Sequence, residues 1–392
     1  MAEFECRVVC VDDVIDHPNA DRLTIVKIGG FNCISNKLED GSWRYNKGDL
    51  VVYIPEAAVL PEWLLKQMDF WDAEKNKGAL NGPYGDRVKA IKLRGVVSQG
   101  VLYPVEHNIH YWVNGATKDN VVRQVPVKVG NDVAEFLGIT KYEPPVPNFL
   151  AGDVKALYGK TLKFDVENIQ KYPDILQENE EVVMSEKLHG TFCGLALYPG
   201  LDDSDFLNKN MFAFSKGLGA AGLVFKFNEK NEGNVYVKAL VESTRSIILL
   251  ADYLKKDFGV QPVYVLGEVF GRGIQDLHYG LDKPDFRAFD IYVGEPDKGR
   301  FLTANEIEDA KYYLFSLDCA LKWVPVLYRG PFDKKILESV RDGKDAISAS
   351  NVREGVVIRS AVERHCDEIG RVMLKAVSPN YLLRKGNTTE FN

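Results

Sequence analysis

The six cysteines of this 392-residue chain (Cys6, Cys10, Cys33, Cys193, Cys319 and Cys366) form no Cys-x-x-Cys pair and no regular ladder. That pattern excludes a zinc ribbon and a disulfide scaffold, and it predicts reduced, partly buried thiols in an intracellular protein. No apolar run approaches the roughly 20 residues needed to cross a bilayer. The opening MAEFECRVVC lacks a basic leader followed by a long apolar stretch, so the expectation is a cytoplasmic or otherwise intracellular protein with no membrane attachment. Positive charge is also in short supply. The formal net charge is −7, and acidic residues outnumber basic ones on both sides of residue 150. Any nucleic acid must therefore be held by a local patch rather than by the field of the whole surface. No internal repeat or low-complexity segment appears.

What is present is a globular composition, 45% hydrophobic and 27% charged, over a length that accommodates two or three domains. KYEPPVPNFL (141–150) places Pro144, Pro145 and Pro147 within four residues. Such a segment favours a stiff, extended connector, and it sets the expected boundary between a domain over 1–145, connector included, and a domain over 146–392. A proline-rich loop inside one domain is the alternative. Before this seam the runs FECRVVCVDDVIDH, LTIVKIGG, FNCISNK, DLVVYIP and DRVKAIKLRGVVSQGVLYPV are short, rich in Val and Ile, and punctuated by Gly, Asn and Asp. They read as a small antiparallel barrel. After it, strands such as EVVMSEKL, VYVLGEVFG, RAFDIYVG, EGVVIRS and RVMLKAV alternate with helices. VYVKALVESTRSIILLADYLKKDFG carries helical apolar spacing, and TANEIEDAKYYLFSLDC is amphipathic with Thr303 as its candidate cap. The second half is mixed α+β.

SEKLHGTFCG (185–194) sets Lys187 between a strand and a glycine turn, as a surface cation or as a nucleophile aimed at a phosphate. A lysine that attacks an α-phosphate needs a neutral amine, neutralised phosphate charge, a metal and a face for the base. Each need has a candidate. An apolar strand and a nearby cation would favour the neutral form of Lys187 by desolvation and like-charge repulsion. Glu268 in VYVLGEVFG and Glu354 in REGVVIR are strand-edge carboxylates able to orient ribose hydroxyls or metal-bound water. Lys375 in RVMLKAVS is a second cation, and Phe289 in FRAFDIY offers an aromatic face, with Asp290 beside it. Taken singly, each stretch is better served by an ordinary buried strand with a polar end.

Taken in order, EKLHGT, SKGLG (215–219), LGEVFG (266–271), FRAFDIY (286–292), EGVVIR (354–359) and MLKAVS (373–378) resemble motifs I, Ia, III, IIIa, IV and V of the covalent nucleotidyltransferases. That superfamily comprises ATP-dependent RNA and DNA ligases and mRNA capping enzymes, and the resemblance covers roughly 160–385. It implies an ATP-grasp-like adenylation domain with antiparallel sheets, with Lys187 and Lys375 catalytic. Glu186, His189, Glu268, Phe289, Glu354 and Lys375 would be nucleotide-binding, and Glu268 and Glu354 would hold Mg²⁺ or Mn²⁺ through water. Two positions depart from the pattern. His189 stands where motif I usually has aspartate, and Lys375 stands alone where motif V often has Lys-x-Lys.

HPNADRLTIVKIGG (17–30), GDLVVYIPEAAVLP (48–61) and IKLRGVVSQGVL (91–102) resemble the OB domain of tRNA-binding proteins. Lys92, Arg94, Trp43 and Tyr53 either hold nucleic acid there or pack and solubilise the barrel. An OB domain placed before the nucleotidyltransferase domain resembles one RNA ligase family, since DNA ligases and capping enzymes carry theirs after motif V. The resemblance implies a monomeric ATP-dependent RNA ligase. It would form a lysyl-AMP, pass the adenylate to an RNA 5′-phosphate and seal it to a 3′-hydroxyl, with nicked duplexes containing RNA as substrate. A DNA ligase or guanylyltransferase would share the lysine chemistry, and a tRNA-binding protein with a silent second domain is the alternative outside enzymes.

Overall fold

The first β-rich run, FECRVVCVDDVIDH, makes two strands rather than one, Arg7–Cys10 and Asp13–Asp16. Between them the chain bends, with the Val11 N–H donating to Asp49 O and the Asp12 carboxylate accepting from the Gly29 N–H. The last run of the first half likewise breaks into three, Ile91–Leu93, Val96–Ser98 and Val101–Pro104. Arg94 and Gly95 take φ of 42° and 96°, and Gly100 takes φ of 78°, so left-handed residues end each piece. The molecule was obtained as a computed structural model that describes residues 4–105, 108–111, 123–126, 128–142, 152–319 and 321–384. The proline seam at 144–147 lies outside the described residues.

The chain divides into two units. In the first, Arg7–Cys10 and Val101–Pro104 flank Leu50–Ile54 as antiparallel partners, and Asp13–Asp16, Leu23–Ile28 and Phe31–Asn36 form a meander. Leu50–Ile54 is buried on both faces. Val51 and Tyr53 join a core with Val14, Val26, Phe31 and Leu102, while Val52 and Ile54 pack with Leu60, Leu64 and Leu137. Residues 168–173 group with this unit although they follow the seam. The reason is local: Gly30 N–H donates to Gln170 O, Gln170 Nε2 donates to Gly30 O at 3.0 Å, and a side chain at Gly30 would collide with the Gln170 Cα.

The second unit holds two large antiparallel sheets and a short hairpin of His365–Cys366 with Gly370–Arg371. One runs Val154–Ala156, Leu223–Phe225, Met211–Ser215, Gly190–Leu197, Val263–Phe270, Asp285–Val293, Arg300–Phe301. Its back face packs under the helix Val235–Phe258, which buries Tyr236, Val237, Leu240, Ile247, Leu250 and Leu254 at helical spacing. Asn234 caps that helix, accepting from the Tyr236 and Val237 N–H groups. The helix Ala304–Ser316 starts at the expected Thr303, in a capping box closed by Glu306. In the second sheet, Met373–Val377, Gly355–Ser360, Glu181–Lys187 and Val326–Pro331 are neighbours in that order. All six cysteines are free thiols. Among the described residues no helix is long and apolar enough to cross a membrane.

Candidate active site

Motif I straddles the two sheets. Lys187 is the last residue of its strand in one sheet, and Gly190 is the first residue of the next strand, in the other. Leu188 and His189 therefore form the corner. Gly190 allows it, because a Cβ there would lie 2.2 Å from Val269 O and 2.9 Å from Glu268 Cγ.

Strand alternation decides which neighbours Lys187 shares. The registers align Lys187 with Gly355 and Val377, and Ser185 with Val357 and Lys375, so Lys187, Ser185, Val357 and Lys375 lie on one face. Gly355 takes φ of 153°, and a Cβ on it would fall 2.2 Å from Ala376 O. Just before it, Glu354 is buried, with its main-chain oxygen accepting from the Ser378 N–H. Its Oε1 is 2.9 Å from Lys187 Nζ, and its Oε2 has no hydrogen-bond partner among the described residues. The charged partner shown at the lysine is thus an anion, where the sequence led us to expect a repelling cation. A lysine paired in this way must lose a proton before its amine can serve as a nucleophile.

Glu186 does not join this group. Alternation sends it to the opposite face with Val356 and Ala376, where it is buried and accepts from the Ala346 N–H at 2.9 Å. Burial pushes its carboxyl up to about 7, against the opposing effect of that hydrogen bond. Ser185, one residue earlier, occupies the site face instead, and period-two counting from Lys187 would have found it.

His189 is 1% exposed and engaged at both ring nitrogens. Nε2 lies 2.6 Å from Asp276 Oδ1 and Nδ1 lies 2.9 Å from Tyr381 OH, while its main-chain N–H donates to Tyr279 OH at 2.7 Å. Glu354 Oε1 is 3.7 Å from Nδ1. None of Asp276, Tyr279 and Tyr381 was legible as part of this corner, because each comes from a distant segment.

On the first sheet, Glu268 pairs with Phe192 on one side and Arg287 on the other, on the face away from the helices. A β-bulge between Leu266 and Gly267 leaves Phe289 without a cross-strand partner. The bulge brings Phe289 and Asp290 to that same face. Phe289 packs 5.3 Å from the Phe164 ring and 6.2 Å from the Phe192 ring, and all three are only partly buried. Asp290, fully buried, receives Arg359 at 3.3 Å and also Arg371, whose guanidinium is held by Glu363 at 2.7 Å. Asp290 therefore ties the second sheet to the first.

Among the described residues no three His, Cys, Asp or Glu side chains converge as a metal cage. The carboxylates suit Mg²⁺ or Mn²⁺ only through its water, since such ions keep several waters and take further oxygens from phosphates. The orphaned Glu354 Oε2 is the oxygen that fits this best.

In the barrel unit the four expected contacts separate. Tyr53 is buried and stacked on Phe31 at 5.1 Å, and so belongs to the core. Lys92 and Arg94 stand exposed on the hairpin, and Trp43 is exposed and donates to Asp16 Oδ1 at 3.0 Å.

The RNA ligase family matches residues 180–377, and an OB-fold domain family matches residues 6–105. Among solved structures, Naegleria gruberi RNA ligase with PPi is similar at 22% identity over 97% of this chain and 98% of that chain, with a TM-score of 0.69. Variants of the same ligase with AMP and Mn and with ATP and Mn give TM-scores of 0.70 and 0.67 at 21% identity, covering 97% and 96% of this chain and 98% of each of those chains. At that identity the likeness is one of fold. No curated protein matches the chain.

Proposed function

Since the chain belongs to the RNA ligase family, we propose that it is an ATP-dependent RNA ligase that works through a lysyl-AMP and repairs nicked duplexes containing RNA. The observation that carries this reading is the pairing of Lys187 Nζ with the buried Glu354 at 2.9 Å, on the sheet face that also bears Lys375. In the first step the Lys187 Nζ lone pair forms a bond to the α-phosphorus of ATP as the bond to the bridging oxygen breaks and pyrophosphate leaves. Glu354 Oε1 is placed to take the amine proton. Lys375 neutralises charge on the α-phosphate, and Phe289 offers its ring to the adenine. Glu268 orients ribose or, with Glu354, the water around Mg²⁺ or Mn²⁺, an ion that when bound neutralises phosphate charge.

In the second step the adenylate passes to an RNA 5′-phosphate, and in the third a 3′-hydroxyl attacks that phosphate and AMP leaves. The Naegleria ligase, whose structures hold ATP and Mn, AMP and Mn, and PPi, supports this choice of nucleotide and ion. Exposed Lys92 and Arg94 suit the phosphate backbone of the bound strand.

Incubation with α-labelled ATP and Mg²⁺ or Mn²⁺ should leave label on the denatured protein that withstands alkali and is released by acid, as a lysine phosphoramidate requires, and 5′-phosphorylated RNA in a nicked duplex should remove it from the native protein. Label from GTP or NAD but not ATP, or none at all, would overturn the reading.

A further inference from the structure

The loop of residues 271–284 joins the Glu268 strand to the Phe289 strand and grips the corner after Lys187 at three points. Gln275 Nε2 donates to Gly190 O, Asp276 Oδ1 takes His189 Nε2 at 2.6 Å, and Tyr279 OH accepts from the His189 main-chain N–H at 2.7 Å. The loop is itself anchored. Ile274 joins the core under the long helix, and Tyr279, 1% exposed, packs edge-on to Phe270 with ring centroids 5.1 Å apart.

A carboxylate only accepts, so His189 Nε2 carries the proton in its bond to Asp276. Nδ1 is taken up by Tyr381 OH at 2.9 Å. With both nitrogens committed, the imidazole is suited to hold geometry rather than to exchange protons with substrate. Its Nδ1 edge lies 3.7 Å from Glu354 Oε1, the same oxygen that holds Lys187 Nζ at 2.9 Å. A ring free to turn about its own bond would change the packing beside the Lys187–Glu354 pair.

We propose that Asp276 is a positioning residue for lysine adenylation, acting through His189 to fix the corner from which Lys187 and Glu354 are presented. The proposal rests on the reading of Lys187 as the nucleophile. It also accounts for histidine in place of the motif's aspartate: the carboxylate stands one side chain further out, on the loop, and reaches the corner through the ring.

The test is single-turnover adenylation by the full chain over a range of ATP, for the wild type, Asp276→Asn, Asp276→Ala, His189→Ala and the double variant Asp276→Ala/His189→Ala. The Asp276 side chain is 36% exposed, so the two single Asp276 changes leave the core untouched. Asp276→Ala should slow the step about tenfold, the size of losing a supporting contact, with half-saturating ATP within about twofold of wild type. Asp276→Asn keeps an accepting oxygen and should fall by less than about threefold. In the His189→Ala background, Asp276→Ala should cost nothing further. Independent losses in the double variant, an Asn variant as slow as the Ala variant, or a loss explained by weaker ATP binding would each overturn the proposal. Absence of label from the wild type would instead overturn the adenylation reading. The contact is tested without activity by the histidine ring ¹⁵N spectrum, where Asp276→Ala must shift the resonance that His189→Ala removes. No shift there overturns the proposal.

Discussion

Lys187 Nζ and Glu354 Oε1 stand 2.9 Å apart, with Glu354 1% exposed and Lys187 20% exposed at the side chain. The lysine is at once the proposed nucleophile and the counterion of a buried carboxylate. Lys187→Ala should therefore abolish the covalent adenylate and also lower the melting temperature, because it strands that carboxylate at a cost of about 1–3 kcal/mol. Adding Glu354→Gln to Lys187→Ala should restore much of the stability and none of the label. Label retained by Lys187→Ala would remove the lysine from the chemistry.

Phe164 and Phe289 have ring centroids 5.3 Å apart, whereas a base held between two aromatic faces needs about 7 Å. Adenine cannot enter between them as they stand, so Phe164 must turn aside if the base uses that face. Phe289→Ala should weaken ATP binding by about tenfold or more, a loss in the range of one stacked base, and Phe164→Ala by less than about twofold. Calorimetry on the Lys187→Ala background, where no chemistry intervenes, measures both. Equal losses would make Phe164 a wall of the base site.

Glu186 is a buried carboxyl whose pKa rises from 4.5 to about 7 on folding. Between these values the folded state binds more protons than the unfolded one, so this group makes stability fall as pH rises from about 4.5 to about 7, with no further change above. Glu186→Gln should remove that slope. Its melting temperature should gain on wild type as pH is raised from 5 to 8, and parallel curves for the two proteins would refute the assignment.

Gly190→Ala places a methyl 2.2 Å from Val269 O and 2.9 Å from Glu268 Cγ. Strand separation at the corner should cost about 2–4 kcal/mol, and adenylation should be reduced even in the folded fraction because Glu268 is displaced. Denaturant unfolding together with label per folded molecule checks both parts.

Lys92→Ala with Arg94→Ala should leave adenylation unchanged while lowering the salt dependence of RNA binding by about two units of slope. Tyr53→Ala should unfold the barrel more readily, since Tyr53 is buried against Phe31. A binding-titration series in salt separates contact from core.

Local chemistry made much of this protein legible from its sequence. The cap at Thr303, the long helix over Val235–Phe258 and the strands that carry Lys187, Glu268 and Lys375 all follow from side-chain periodicity and hydrogen bonding within a few residues. The order of six short motifs pointed to the covalent nucleotidyltransferases for the same reason, since motifs are local, and the OB domain placed before them narrowed the resemblance to an RNA ligase family. Sequence alone did not separate Glu186 from Ser185, although the one-residue difference puts them on opposite faces of the sheet. What tertiary structure alone decided is the partnership between segments far apart in the chain. Asp276, Tyr279 and Tyr381 close on His189 from 87 or more residues away, Arg359 and Arg371 meet Asp290 across two sheets, and Glu354 meets Lys187 through register. Periodicity says which face a side chain takes, but only the packing of whole sheets says what waits on that face.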